Sequence, residues 1–180
     1  MNLFLFSYSH LIPIIAKQVL YVGPAKMGSL QGMFGVGALA GALLVASIPK
    51  ITRHGLIFIG GCFVTFLALL GLGISESYYL SLLVLALLGV GAAGFSTMQA
   101  AIVVLVADID YRGKALGVVS LAIGTGPFGA IIIGISATLF SPSTALIINS
   151  VIGLTSLTLL IFVVPSLLKI IPLNSDKVLK

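Results

Sequence analysis

Residues 79–106 read YLSLLVLALLGVGAAGFSTMQAAIVVLV and contain no charged side chain. A helix needs about 20 apolar residues to cross roughly 30 Å of hydrocarbon, so this run, bounded by Glu76 and Asp108, predicts one extended or tilted crossing. Working outward, charge-free runs recur between Lys26 and Lys50, between Arg53 and Glu76, and between Lys114 and Lys169. The last is too long for one crossing, and the turn signal Ser141-Pro142-Ser143-Thr144 divides it in two. Met1 to Val22 adds a further apolar segment.

Of the 180 residues, 59% are hydrophobic and 7% charged, whereas a soluble domain is about a quarter charged. Such a chain cannot cover a soluble surface. The reading is an all-α polytopic membrane protein, a bundle over 1–171 with a polar cytoplasmic tail over 172–180. Six spans are expected, at Leu3–Val22, Gly28–Ile48, Leu56–Ile74, Tyr79–Val106, Gly113–Phe140 and Ala145–Val164. Barrel strands would be short and alternate apolar with polar, and lipid offers unpaired backbone groups no partner. The third span, apolar almost all round apart from Thr65, reads as peripheral and lipid-facing. Pro13 interrupts the first span, and Lys17 follows so early that the helix is expected to begin inside the membrane, with residues missing upstream. A signal peptide is disfavoured, because no Lys or Arg precedes the apolar start.

A weak internal symmetry relates the second span to the fifth. Gly35-Val36-Gly37-Ala38-Leu39-Ala40-Gly41 in one corresponds to Gly124-Thr125-Gly126-Pro127-Phe128-Gly129 in the other. Each is the middle helix of three, which makes the two groups a 3+3 inverted pseudo-repeat, a transporter feature. Ordinary close packing by small residues accounts for the same pattern. Gly35, Gly37, Gly41, Gly124, Gly126 and Gly129 are thus candidates for helix packing, and Pro127 for a kink. Gly89–Gly94 and Gly124–Gly129 each match G-x-G-x-x-G, but neither follows a strand, so no dinucleotide site is read. With one cysteine, Cys62, and no paired histidines, no metal site or cofactor is expected. No Asp, Glu, Lys or Arg lies at the centre of a span, which argues against intramembrane hydrolysis and an enzyme.

Polar residues at depth are the functional candidates. Ser7, His10, Lys17, Gln18 and Tyr21 fall near one face of the first span, which either lines a cavity or meets another helix. Gly89, Ala92, Ser96 and Gln99 mark a second face, where Gln99 requires a partner or water. The loop Asp108-Ile109-Asp110-Tyr111-Arg112-Gly113-Lys114 holds half of the four acidic residues. Asp110 suits a cap on the following helix. Arg112 and Lys114 are either a topology signal or part of an ion pair holding one gate state.

From Asp110-Tyr111-Arg112-Gly113-Lys114-Ala115-Leu116-Gly117 into Gly124-x-Gly126-Pro127-x-Gly129, the chain resembles the tenth-to-eleventh helix region of major facilitator superfamily transporters, the drug and siderophore exporters above all. Leu11-Ile12-Pro13, Val19-Leu20-Tyr21-Val22-Gly23 and Gly28-Ser29-Leu30-Gln31-Gly32 resemble that group's seventh and eighth helices. The resemblance implies the C-terminal six-helix half of a twelve-helix transporter. It implies a substrate cavity contacted by His10, Gln31, Ser96 and Gln99, and a gating loop at Asp108, Asp110, Arg112 and Lys114. Lys114 stands where the family's loop has a second Arg, and Pro49–Gly55 lacks the usual acidic partner. Expected partners are membrane lipids, a small amphipathic substrate, and a missing N-terminal half or a second copy of the chain. The alternative is a six-helix membrane protein that transports nothing and serves assembly.

Orientation follows from the basic residues. Lys50, Arg53, Arg112, Lys114, Lys169, Lys177 and Lys180 fall on one side, Lys17 and Lys26 on the other. The richer side is cytoplasmic, so both termini are placed there, in a plasma or inner membrane. The net charge of +5 reflects this bias and does not imply nucleic-acid binding. In a variant lacking Cys62, Ser175→Cys is expected to react with an impermeant maleimide only after the cells are opened. Strong labelling of intact cells would reverse the orientation.

Overall fold

The computed structural model describes residues 2–5 and 7–165, and every regular element among them is helical. The chain opens with α1 (Asn2–Leu5), a 3-10 turn (Ser7–His10) and α2 (Ile12–Gln18). It continues through α3 (Pro24–Ala46), α4 (His54–Ile74), α5 (Tyr78–Val106), α6 (Arg112–Ile123), α7 (Gly126–Leu139) and α8 (Pro142–Val163). Five stretches are long and apolar enough to cross a membrane: α3, α4, α5, α6 with α7, and α8. The opening segment, expected as a sixth span, is divided into short pieces, none of which has that length. The tail expected at 172–180, with Lys177 and Lys180, lies outside the described residues, as does Lys169.

Prolines set the starts. Pro13, Pro24, Pro127 and Pro142 each occupy the first turn of a helix, where a missing N–H leaves no bond unmade. Pro127 also explains the break between α6 and α7, since it can neither donate to the carbonyl four residues back nor fit the helix there. Thr125 Oγ1 covers one carbonyl at the break, donating to Ala122 O at 2.7 Å. At the predicted turn, Ser141 Oγ accepts from Thr144 N–H at 3.1 Å and so caps α8. The chain leaves α2 through Tyr21, a non-glycine residue in the left-handed region at φ 50°.

Three sets of contacts fix the helix directions. Ser29 Oγ lies 2.6 Å from the Tyr78 hydroxyl, 49 residues along the chain. Gly37 faces Ala86 and Gly41 faces Val90 at the same offset, so α3 and α5 run parallel. Gly61 lies against Gly91 and Gly71 against Val84, so α4 runs antiparallel to α5. Gly73 meets Ile147 and Gly153 meets the Phe66 ring, so α8 runs antiparallel to α4. The α3–α4 and α5–α6 loops therefore share one end of the bundle, with Lys50, Arg53 and Arg112.

The expectation that the third span is peripheral is corrected. Along α4, Gly61, Cys62, Thr65, Phe66, Leu69, Leu72 and Gly73 are buried, with α5 on one side and α8 on the other. Only a stripe through Leu56, Gly60, Phe63, Leu67 and Ile74 is exposed. Apolar composition all round cannot separate the two environments, because lipid tails are as apolar as leucine.

Adjacent glycines of α4 give a direct test. A Cβ on Gly61 would stand 2.6 Å from Phe95 N and 2.7 Å from Gly91 O, whereas one on Gly60 would meet nothing within 4 Å. Overpacking of this kind costs about 1–3 kcal/mol or more. Gly61→Leu is expected to lower yield and melting temperature sharply, and Gly60→Leu to leave both near wild type. Equal behaviour of the two variants would refute the crossing.

Candidate functional site

The parallel register of α3 and α5 locates the polar candidates along the bundle. Gln31 is level with Leu80, near the start of α5, by the same 49-residue offset. Ser96 and Gln99 lie towards its other end. At 1.5 Å of rise per residue, Gln31 and Gln99 are roughly 28 Å apart along the axis. Tyr8 meets Phe34 edge-on, with ring centroids 6.1 Å apart. Since α2 leads from there towards Pro24, His10 comes within about a turn of the level of Gln31. The four candidates thus form two polar stations, His10 with Gln31 and Ser96 with Gln99, and no single cluster.

Their surroundings differ. His10 is exposed at the end of the 3-10 turn, and Gln31 is exposed on α3. Ser96 is exposed and donates to Ala93 O at 3.2 Å within its own helix, and Gln99 is half-buried. No hydrogen bond joins any of the four to another among the described residues. Gly89 and Ala92, read with them as one polar face, are buried, and Gly89 is turned against Phe34 and Ala38 of α3.

In the loop before α6, Asp108 and Asp110 are exposed. Asp110 sits in a 3-10 turn (Ile109–Tyr111), and the N-cap of α6 is Tyr111 with no side-chain capping bond. The expected Asp110 cap is therefore absent: the 3-10 turn places the carboxylate ahead of the capping position. Arg112 Nε donates to Ala107 O at 3.4 Å, tying α6 to the end of α5. Lys114 Nζ lies 5.3 Å from the centroid of the Tyr111 ring.

Among the packing candidates, Gly37, Gly41 and Gly129 lie where another backbone or side chain would meet a Cβ. Gly129 faces Leu3 O and Ser7 Oγ of the opening segment. Gly35 and Gly126 face open space, and Gly124 lies only against its own helix. Of the close approaches expected at Gly126 and Gly129, the structure makes only the one at Gly129. Pro127 is exposed beside the α6–α7 break.

Three polar residues went unnoticed in the sequence. Asn149, buried on α8, donates from Nδ2 to Phe4 O at 2.7 Å. An asparagine deep in an apolar span signals such a bond. Asn2 Oδ1 and His54 Nδ1 are buried without a hydrogen-bond partner. His54 lies at the end of the charged Pro49–Gly55 loop, and its burial arises from tertiary packing. No group of three or more His, Cys, Asp or Glu side chains able to hold a metal occurs among the described residues.

No curated protein and no solved structure gives a significant match to the chain. A family profile described as Major Facilitator Superfamily matches residues 1–176. That family's members are transporters and not enzymes, and the five apolar spans agree with a multi-pass membrane protein. The match covers nearly the whole sequence, and the chain belongs to the Major Facilitator Superfamily, whose function is membrane transport.

Proposed function

We propose that the chain is the C-terminal six-helix half, or a truncated form, of an exporter related to the drug and siderophore group. It would move a small amphipathic molecule by alternating access, with the opening segment as its sixth span and both termini cytoplasmic. The observation that carries this reading is an exchange of contacts between two groups of three. The first group is the opening segment, α3 and α4, and the second is α5, α6 with α7, and α8. The middle helix of each group packs on the first member of the other: α3 on α5 through Gly37 and Gly41, and α7 on the opening segment through Gly129. The last helix of each also meets the first member of the other, as in α4 on α5 and in the bond from Asn149 to Phe4. The two last helices, α4 and α8, meet each other antiparallel. An inverted 3+3 repeat generates this pattern.

Unpartnered faces support the half reading. α6 buries no residue. On α3, Gly28, Gln31, Gly32 and Gly35 are all exposed. A second six-helix unit would cover these faces and enclose the cavity between the two polar stations. Arg112 and Lys114 would then act at the cytoplasmic gate.

Proteoliposomes containing the chain alone are expected not to move an amphipathic dye against a gradient, and to do so once a complementary N-terminal half is co-reconstituted. Active transport by the chain alone would overturn the half reading. In the active assembly, Gln99→Leu should reduce transport about 3- to 10-fold, the worth of one hydrogen bond, with expression unchanged.

The gate has its own test. Arg112→Ala should shift the accessibility of a cysteine in the outward cavity without abolishing insertion. Arg112→Lys should restore it in part, since Lys keeps the charge but lacks the planar fork. Unchanged accessibility in Arg112→Ala at normal expression would leave the loop a topology signal only.

A further inference from the structure

The rim opposite Arg53 and Arg112 carries a cluster to which transport assigns no role. Tyr78, the first residue of α5, is its hub. Its hydroxyl lies 2.6 Å from Ser29 Oγ of α3, its ring lies 5.3 Å from Lys26 Nζ, and its ring centroid is 5.5 Å from that of Tyr79. Lys26 is thereby held at the rim by a cation–π contact while its side chain stays exposed. No carboxylate pairs with this ammonium among the described residues, although Glu76 stands two positions before Tyr78. Its N–H donors are thus exposed, with no anionic partner among the described residues.

A second observation comes from the adjoining turn. Tyr21 is held at φ 50°, where glycine is the favoured residue, yet it is 86% exposed. Tyr79 is 77% exposed on the same rim. Tyrosines with apolar rings and polar tips at a helix end match the headgroup layer of a bilayer. Lys17, exposed at the end of α2, adds a second cation near this turn.

We propose that Lys26, positioned by Tyr78 and Ser29 and flanked by Tyr21 and Tyr79, docks the phosphate of an anionic phospholipid headgroup. A lipid is favoured over a free ion because the cluster lies at the end of membrane-length helices, with the exposed Leu83 one turn along α5 from Tyr79 on the same face. The acyl chains would run along this face of α5 while the phosphate meets the ammonium. The site does not depend on whether the chain is a transporter half.

The test uses the full chain reconstituted in phosphatidylcholine vesicles containing phosphatidylglycerol, with retained lipid counted by native mass spectrometry. Lys26→Met should lower phosphatidylglycerol retention about fivefold, the worth of one cation at an anionic surface. Tyr78→Leu should also lower it by removing the ring that holds Lys26, and Tyr78→Phe should keep most of it. Lys50→Met, at the other rim, should not reproduce the loss, and inorganic phosphate should not displace the lipid. Wild-type retention in Lys26→Met, an equal loss in Lys50→Met, or displacement by inorganic phosphate would each overturn the proposal.

Discussion

The architecture depends on the absence of side chains along one stretch of α5. A Cβ on Gly89 would stand 2.6 Å from Ala38 N of α3, and one on Gly91 would stand 2.8 Å from Gly61 O of α4. Two helices thus press on α5 from different sides within one turn. Lipid tails give helices no hydrophobic reason to associate, so what holds them is close contact between backbones and small side chains. Thr65 contributes to this crossing without exposing a polar atom, because its hydroxyl donates to Gly61 O at 2.8 Å inside its own helix. With α5 occupied on both sides, α4 turns its remaining buried face to α8, and Phe66 fills the space that Gly153 leaves.

Much of this was legible in the sequence. Charge-free runs are set by hydrocarbon thickness, and they located α3, α4, α5 and α8 to within a few residues. Pro127 marked a bend within the fifth span, and Ser141-Pro142-Ser143-Thr144 marked the turn before α8, through chemistry confined to one turn. Which glycines serve a crossing was not legible, because Gly60 and Gly61 differ only in which way they face. The literal G-x-G-x-x-G at Gly89–Gly94 illustrates the same limit, since its spacing suits two helix neighbours as well as a phosphate. The polar candidates were individually visible, but their division between two levels required the register of α3 against α5. The peripheral reading of α4 failed because composition alone reports apolar surroundings and not what supplies them.

The opening segment shows how a broken helix persists in the bundle. Breaking a helix in lipid frees backbone carbonyls that must find partners. Leu3 O accepts from Ser7 Oγ, and Phe4 O accepts from Asn149 Nδ2. Gly129 lets α7 approach the first of these, because a Cβ there would occupy the space of Leu3 O and Ser7 Oγ. The second piece is held differently, by the burial of Leu11, Ile12, Ile15 and Ala16. His10 lies between the two attachments and is left exposed where the helix is interrupted.

The α6–α7 break divides one span into parts with unequal attachment. α7 is fixed through Gly129 and Ile133, both buried, whereas α6 buries no residue. Displacing α6 would cost few packed contacts, and the break at Gly124 and Thr125 already supplies a bend between the two helices. At its other end α6 begins with Arg112, whose Nε donates to Ala107 O at 3.4 Å, and carries Lys114 beside Tyr111. The helix that buries no residue is therefore the one that begins with Arg112 and Lys114, and a shift at its start would have little packing energy to overcome.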